Sequence, residues 1–349
     1  MAKVYVTGGN GFIGSRIVRE LADRGYQVSA LVGADVDDGN LEGIDVDVRP
    51  LDLTDERSIE QALEGGELLV HSAACYSFWE RDPEYIYRVN VQGTRNVLRA
   101  AARHGYRKVV YTSSASTLTP AIVGEPGTEE VLFDARRFEG HYKTSKLIAE
   151  MAVLRELARG LPAVIVHPTT VIGAGDRRPT PTGRIIVHFI NGRMKAYADT
   201  VLSIVDVVDV AEGHVLALER GQIGHQYILG GENCSMSQVT QLLSELTGIP
   251  APRVAIPSGV LLGLGRINEF IANHISHRAP LIDVESTLHA RVNRAFSSAK
   301  AEKELGYRPS QARVALAKAT QWFVQNGYCK ARYRRRIEAH GALTATLTR

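Results

Sequence analysis

"KVYVTGGNGFIGSRIVREL" (residues 3–21) is the stretch whose reading decides the fold. An apolar run, Val4 to Val6, gives way to Gly8, Gly11 and Gly14, and then to a helical pattern closed by Gly25. A glycine lets the chain turn tightly and lets a phosphate approach the backbone; another lets helix and strand pack closely. The helix that follows offers unpaired N–H groups and the positive end of its dipole to a pyrophosphate. Three glycines alone are weak evidence, because a purely structural turn uses them too. Here they follow a strand, open a helix and head a longer βαβ series, which is the context a dinucleotide site requires.

The same rhythm continues outward. Strand patterns at 27–32, 45–53, 67–74, 108–114 and 162–173 alternate with helical patterns at 12–24, 55–64, 84–104 and 142–159. Strands separated by helices predict βαβ units and a parallel sheet. Continuous apolar strands such as "AVIV" (163–166) predict a sheet covered on both faces. After Gly173 the pattern loosens through "GAGDRRPTPTG" (173–183), then mixes a strand at 201–208, a helix at 210–219, a strand at 225–231 and helices at 235–247 and 310–326. The expected division is a nucleotide-binding unit of 1–172 plus about 201–233, and a smaller, partly interleaved α/β lobe of about 173–200 plus 234–328. Residues 329–349, with "KARYRRR" (330–336), read as a basic, flexible tail.

An acidic residue some 20 positions beyond the glycines usually holds a ribose hydroxyl. Strand two ends instead at Val32 and Gly33, with Asp35, Asp37 and Asp38 just beyond and no arginine for a 2′-phosphate. This acidic loop favours NAD over NADP.

"HYKTSK" (141–146) carries Tyr142 and Lys146 four residues apart, on one helix face. A free phenol titrates near 10; an ammonium about 4 Å away contributes roughly 4 kcal/mol at an effective dielectric of 20, or about three pKa units. The sequence therefore predicts a phenol able to trade a proton with a substrate hydroxyl or carbonyl at neutral pH. "YTSSAS" (111–116) ends a strand and offers Ser113 and Ser114 to the same substrate oxygen. Alone, Tyr and Lys at this spacing are more often an exposed helical pair. Their place after the glycine turn and the serine-bearing strand end favours catalysis.

Composition sets the outer limits. The 349 residues are 44% apolar and 23% charged with a formal charge of +3, too near neutral to call for a nucleic-acid partner. Cys75, Cys234 and Cys329 stand far apart without metal-ligand spacing, as expected of a cytoplasmic protein with no disulfide framework and no metal. With strand one predicted from residue 3, no signal peptide is expected, and "GVLLGLG" (259–265) is far short of the roughly 18 apolar residues of a membrane span.

Taken in order, "TGGNGFIG", "LDLTD", "HSAA", "YRVNVQGTRNVL", "YTSSAS", "YKTSK" and "HPTTVIG" resemble the extended short-chain dehydrogenases/reductases, the NAD-dependent epimerase/dehydratase family, over about residues 3–326. "IYRVNVQGTRNVL", "PTPTGRIIVHFINGRMKAY" and "ALERGQIGHQYILGGEN" are similar to the hopanoid-associated sugar epimerase and dihydroflavonol-reductase-like group. The resemblance implies a Rossmann fold, a doubly wound parallel sheet, and a homodimer. It implies Tyr142 as acid/base, Lys146 as the cation that lowers its pKa and binds the nicotinamide ribose, and Ser114, rather than Ser113, as the group that polarises the substrate oxygen. Gly8, Gly11, Phe12, Ile13 and Gly14 would hold the pyrophosphate; Asp52 and Leu53 would meet the adenine; Ala73 and Ala74 would line the cofactor. Asn90 would order the site, and Pro168 and Thr169 would lie beside the nicotinamide. Without the family, Asp52 reads as a loop cap and Asn90 as an ordinary helix residue.

Two departures stand out. Gly33 replaces the arginine common in relatives at the tip of strand two, and "VDVVDVA" (205–211) places Asp206 and Val208 where relatives carry a histidine and an aspartate. Asp209 reads as an N-cap for the next helix. Whether Asp206 meets substrate is open.

The first expectation is an epimerase or dehydratase acting on a sugar or nucleotide sugar, with Arg177, Arg178, Arg184, Arg193 and Lys195 as possible partners for a diphosphate. The second is a reductase of a small or hydrophobic ketone, with the apolar stretch 259–271 as a cover, although that stretch reads first as a core-facing helix. A third, from another class, is an NAD(P)-binding regulator without turnover. Both enzymes need the same Tyr, Lys and Ser, so these motifs do not separate them.

Overall fold

The computed structural model describes residues 2–33, 39–77, 82–119, 125–130, 140–276, 284–290 and 293–347. Asp35, Asp37 and Asp38 lie outside the described residues.

The strands are β1 Lys3–Thr7, β2 Gln27–Val32, β3 Asp47–Pro50, β4 Leu68–His71, β5 Lys108–Thr112, β6 Ala163–Pro168, β7 Thr170–Ile172, β8 Ala196–Ala198, β9 Val201–Asp206, β10 Gln226–Leu229, β11 Glu232–Ser235 and β12 Val254–Ile256. Seven form one sheet in the order β10-β6-β5-β4-β1-β2-β3. Every pairing in it is parallel, with Val4 beside both Val28 and Leu68, and Leu68 beside Lys108. Strand order reverses between β1 and β4, so a crevice opens at their carboxyl ends, where Thr7 and His71 stand side by side.

Helices cover both faces. α1 Gly14–Asp23, α2 Glu56–Ala62, α3 Pro83–Tyr87, α4 Thr94–Arg103, α5 His141–Ala158, α6 Pro181–Ile190 and α7 Val207–Arg220 come first in the chain. One core places Ile17, Leu21 and Val215 against Val4, Val6 and Val164; another places Leu98, Val97 and Val153 against Tyr5, Leu69 and Val109. Two apolar faces on alternate strand residues, each closed by helices, give the doubly wound layering that the continuous apolar strands imply.

The long helix expected over 84–104 is interrupted. α3 and α4 are joined by a π-helical turn over Arg88–Gly93. The single strand expected over 162–173 divides as well: β6 stays in the large sheet, while β7 joins β9 and β11 in a three-stranded sheet. Only Thr169 lies between β6 and β7.

The later helices are α8 Met236–Thr247, α9 Ser258–Ile271, α10 Val284–Ala290, α11 Ala299–Leu305, α12 Ala312–Gln325, α13 Ala331–His340 and α14 Ala342–Leu347. Phe189, Leu243, Leu246, Leu316 and Phe323 gather there into a third core. The basic tail does not behave as a flexible end: α13 and α14 bury Ile337 and Leu343 in that core, and Cys329 is buried at its entry. The apolar periodicity is sparse among the arginines, but these three contacts are enough to dock the segment. Over 259–271 the expected core-facing helix forms as a helix, yet Val260, Leu264, Ile267 and Phe270 are exposed and only Leu261 is well buried. Among the described residues no helix is long and apolar enough to cross a membrane.

Candidate active site

The glycine turn is shaped by close approach. Gly8 has φ +67°, and a Cβ there would stand 2.8 Å from Cα of Ala73 in the loop after β4. A Cβ on Gly14 would meet the Gly8 carbonyl oxygen at 2.1 Å, so the first turn of α1 presses directly on the end of β1. α1 has no side-chain cap hydrogen bond. The Ser15 and Arg16 N–H groups donate to the Gly11 and Ile13 carbonyls, and this helix start borders a cleft of about 1750 Å³ that Gly8, Gly11, Phe12, Ile13 and Gly14 line. A cradle that no side chain could share, beneath an uncapped helix start, fits a dinucleotide pyrophosphate.

Asp52, Leu53, Ala73, Ala74, Pro168 and Thr169 line the same cleft. Asp52 is also a loop cap: its Oδ1 accepts from the Thr54 N–H at 2.8 Å and the Thr54 hydroxyl at 2.7 Å. Thr169 donates to the Ser203 carbonyl at 2.8 Å, which anchors the switch from β6 to β7. Asn90 does not line the cleft. It is 1% exposed in the π-helical turn, accepts from the Cys75 N–H at 2.7 Å and donates to Ser145 Oγ at 2.9 Å. It ties the loop after β4 to α5, which makes it a positioning residue. The extra residue of a π-helical turn rotates such a side chain out of helical register.

α5 brings the chemistry. Its first turn has no side-chain cap of its own; Glu285 of α10 reaches across to accept from the N–H groups of Tyr142 and Lys143 at 3.5 and 3.3 Å. Gly140, at φ +105°, makes room, since a Cβ there would strike the Glu285 carboxylate. Tyr142 is 8% exposed and packs on Tyr76, with ring centroids 4.8 Å apart. Burial and the neighbouring Tyr76 raise its phenol, while the hydrogen bond with Ser114 works the other way. Burial also pushes Tyr76 up to about 12.

The expected pairing of Lys146 with Tyr142 takes a different form. Lys146, 4% exposed, donates to the Thr112 carbonyl at 2.7 Å and to Tyr111 Oη at 3.1 Å. Burial lowers its ammonium to about 7, against an opposing pull from Glu150. The ammonium bonds to the carbonyl at the end of β5 and not to the phenol one turn back, and burial raises that phenol. At neutral pH Tyr142 carries its proton.

The two serines separate cleanly. Ser113 Oγ donates to the buried Glu150. Ser114 faces the cleft, hydrogen-bonds Tyr142, and accepts from the Ser116 N–H at 3.2 Å. Glu150 also accepts from Thr117 Oγ1 at 2.8 Å, and His167 Nδ1 lies 3.3 Å from the Ser114 carbonyl oxygen. This braces the backbone that presents Ser114. Glu150 was legible only as a third residue at i+4 beyond Tyr142 and Lys146; no chemistry in the sequence called attention to it.

Asp206 is not a site residue. It is 1% exposed, caps α7 through the Val208 N–H at 3.0 Å, and pairs with Lys318 at 2.7 Å. The cap expected of Asp209 thus belongs to Asp206, because α7 starts three residues early; Asp209 instead accepts from the Ser310 N–H at 2.7 Å. Of the five expected cations, Arg177 and Arg178 line the cleft. Arg177 packs on Gly39, at the nucleotide end. Arg184, Arg193 and Lys195 are not among its lining residues. The cation beside Tyr142 is Arg294, which the sequence reading missed.

A family described as NAD dependent epimerase/dehydratase matches residues 4–230. The chain is similar to a putative dihydroflavonol 4-reductase of Synechocystis sp., 39% identical over 330 residues, 93% of this chain and 96% of that protein. It is similar to sterol demethylase protein B of Methylococcus capsulatus, 35% identical over 325 residues, 92% and 98% of the two chains. Its fold matches the UDP-glucose 4-epimerase of Thermus thermophilus solved in complex with NAD, at TM-score 0.73 and 25% identity, covering 92% and 98% of the two chains.

Proposed function

Because the chain belongs to the NAD-dependent epimerase/dehydratase family of extended short-chain dehydrogenases/reductases, we propose that it interconverts a secondary alcohol and a ketone on a substrate with an apolar body, as a reductase or dehydrogenase. The observation that carries this reading is the phenol of Tyr142, hydrogen-bonded to Ser114, in a cleft that Leu118, Leu288 and Phe296 also line. Relatives named for a reductase and for sterol demethylation support the same direction.

NAD or NADP would lie with its phosphates over Gly8, Gly11 and Gly14, its adenine end toward Asp52 and Leu53, and its nicotinamide end toward Lys146, Pro168 and Thr169. When bound, the nicotinamide supplies or accepts hydride at the substrate carbon. The protein does the rest. Ser114 donates to the substrate oxygen and fixes its position; Tyr142, protonated at rest, gives its proton to that oxygen as the ketone is reduced and takes it back in the reverse direction. Lys146, bonded to the Thr112 carbonyl and Tyr111 Oη, fixes the end of β5 that presents Ser114 and would meet the nicotinamide ribose. Glu285, through α5, and Asn90, through Cys75 and Ser145, hold these groups in place.

The epimerase reading rests on the likeness to the Thermus enzyme and on Arg177 and Arg178 in the cleft. Cofactor stoichiometry separates the two. A reductase consumes one NAD(P)H per product, whereas an epimerase returns the hydride and leaves the cofactor unchanged. A panel of apolar ketones and nucleotide sugars, followed at 340 nm and by product analysis, decides; turnover of a sugar without net cofactor change overturns the reductase reading. A homodimer in the cytoplasm completes the proposal, and light scattering on the purified protein checks the dimer.

A further inference from the structure

Arg294 is held by its backbone in an extended segment. Its N–H donates to the Val201 carbonyl at 3.1 Å, and two residues on, Phe296 exchanges hydrogen bonds with the Asn233 side chain at 3.0 and 3.1 Å. Alternation puts Arg294 and Phe296 on one side, and both line the cleft with Tyr142 and Ser114. The guanidinium is partly buried, and among the described residues no acceptor stands within hydrogen-bond distance of it. The nearby carboxylates are engaged elsewhere: Glu285 caps α5, and Asp176 accepts from the Thr180 N–H and hydroxyl. Tyr76, Glu285 and Tyr142 act on Arg294 through space, yet burial still lowers it to about 10, so it is cationic at neutral pH. A cation drawn out of water with no hydrogen-bonding acceptor among the described residues is costly even beside a carboxylate, and sites that keep one use it.

We propose that Arg294 is the anchor for a carboxylate on the substrate, close to the carbon that Tyr142 serves, so that the substrate class is an apolar hydroxy acid and its oxo acid. This inference rests on the dehydrogenase reading and narrows it. One guanidinium in a cleft that Leu288 and Phe296 also line matches a single negative charge on an apolar body. A diphosphate carries more charge and needs more donors; of the other cleft arginines Arg177 packs on Gly39, and Arg184, which acts on Tyr76 through space, is not among the lining residues. The planar guanidinium binds a carboxylate through two parallel N–H donors and so fixes orientation as well as affinity.

The test compares racemic 3-hydroxydecanoate with its methyl ester, two probes with the same chain and hydroxyl, the ester lacking the charge and carrying one more methyl. Binding is measured by calorimetry to NAD-loaded protein carrying Tyr142→Phe, which prevents turnover. The acid is expected to bind about 10- to 100-fold more tightly than the ester, the range for a hydrogen-bonded charge. The ratio should fall to near one with Arg294→Met and stay clearly above one with Arg294→Lys. Because it is a ratio, partial misfolding of a variant does not move it. Equal binding of acid and ester, no binding of either, or a preference that survives Arg294→Met overturns the proposal. UDP is the second probe: Arg294-dependent binding of UDP with no preference for the acid makes the anion a diphosphate and also overturns it. Oxidation of the acid by the wild-type protein is followed separately at 340 nm. Arg294-dependent binding without NADH formation would sink the dehydrogenase reading and leave the carboxylate anchor standing.

Discussion

Lys146 donates to the carbonyl oxygen of Thr112 at 2.7 Å, stitching the second turn of α5 to the end of β5. The residues after that carbonyl are Ser113 and Ser114, so the same contact that spends the ammonium's proton sets where the substrate-facing serine begins. Lys146→Met is expected to lower kcat/KM by about 10² to 10⁴, the range for a group that supports proton transfer. Since burial lowers the ammonium to about 7, the wild-type pH profile should inflect near that value, losing the protonated amine as pH rises. The Lys146→Met profile should lack the inflection. A profile that keeps it assigns the titration to another group.

Glu150 opposes that lowering. Glu150→Gln removes the negative charge but keeps a hydrogen-bonding side chain for Ser113 and Thr117. The inflection should therefore move below its wild-type position, with kcat affected more than KM because less of Lys146 is protonated at neutral pH. A role confined to packing would leave the pH profile where it was.

Gly14→Ala would bring a Cβ to 2.1 Å from the Gly8 carbonyl oxygen, which is backbone and cannot swing aside. The helix start must shift, and with it the phosphate cradle. Expected outcomes are a loss of roughly 1–3 kcal/mol in stability, the range for overpacking, and a loss of NAD affinity of at least 10-fold. Denaturation and calorimetric titration of NAD check the two separately.

His71 and His214 are buried and neutral. His71 sits between Thr7 Oγ1 at 2.7 Å and Thr94 Oγ1 at 3.0 Å, and His214 between Thr112 Oγ1 at 2.9 Å and the Val210 carbonyl at 2.7 Å. Burial lowers them to about 3 and about 4. Below about 6.5 an unfolded chain protonates both while the native chain does not, so the unfolded state binds more protons and stability falls as pH falls. Each contributes a slope of up to about 1.4 kcal/mol per pH unit in that window. His214→Gln should flatten the dependence measured by urea unfolding between pH 6.5 and 4.5; an unchanged slope would show that this imidazole already titrates in the fold.

Ile337 and Leu343 close the third core from α13 and α14. Leu343→Ala is expected to destabilise the protein by about 2–5 kcal/mol, as for other buried leucines. A change below about 0.5 kcal/mol in denaturant unfolding would mean the two helices are not docked in solution.

The sequence carries its legible part where chemistry constrains spacing. Glycines that let backbone approach backbone, a serine-bearing strand end, and Tyr and Lys one turn apart can be read without a partner in view. What it hides are the contacts made across long separations. Asn90 works through Cys75 and Ser145, and a helical periodicity cannot show that the turn carrying it is π-helical. Asp206 looks like a displaced site residue until Lys318, 112 positions on, is seen to pair with it. Arg294 stands in "RVNRAFS" as one arginine among several, and only the hydrogen bonds to Val201 and Asn233 show which way the segment is held. The exposed side of α9 is the opposite case: apolar residues at helical spacing predict a core-facing helix, but that spacing gives a stripe without saying what faces it.

With a single residue, Thr169, as the slack between β6 and β7, the two sheets meet at a weld rather than a hinge. One peptide step spans about 3.3–3.6 Å, and Thr169 is itself fastened to Ser203 on β9. The floor of the groove is thus pinned at this point, and any shift of one sheet against the other has to strain or break the tie from Thr169 to β9.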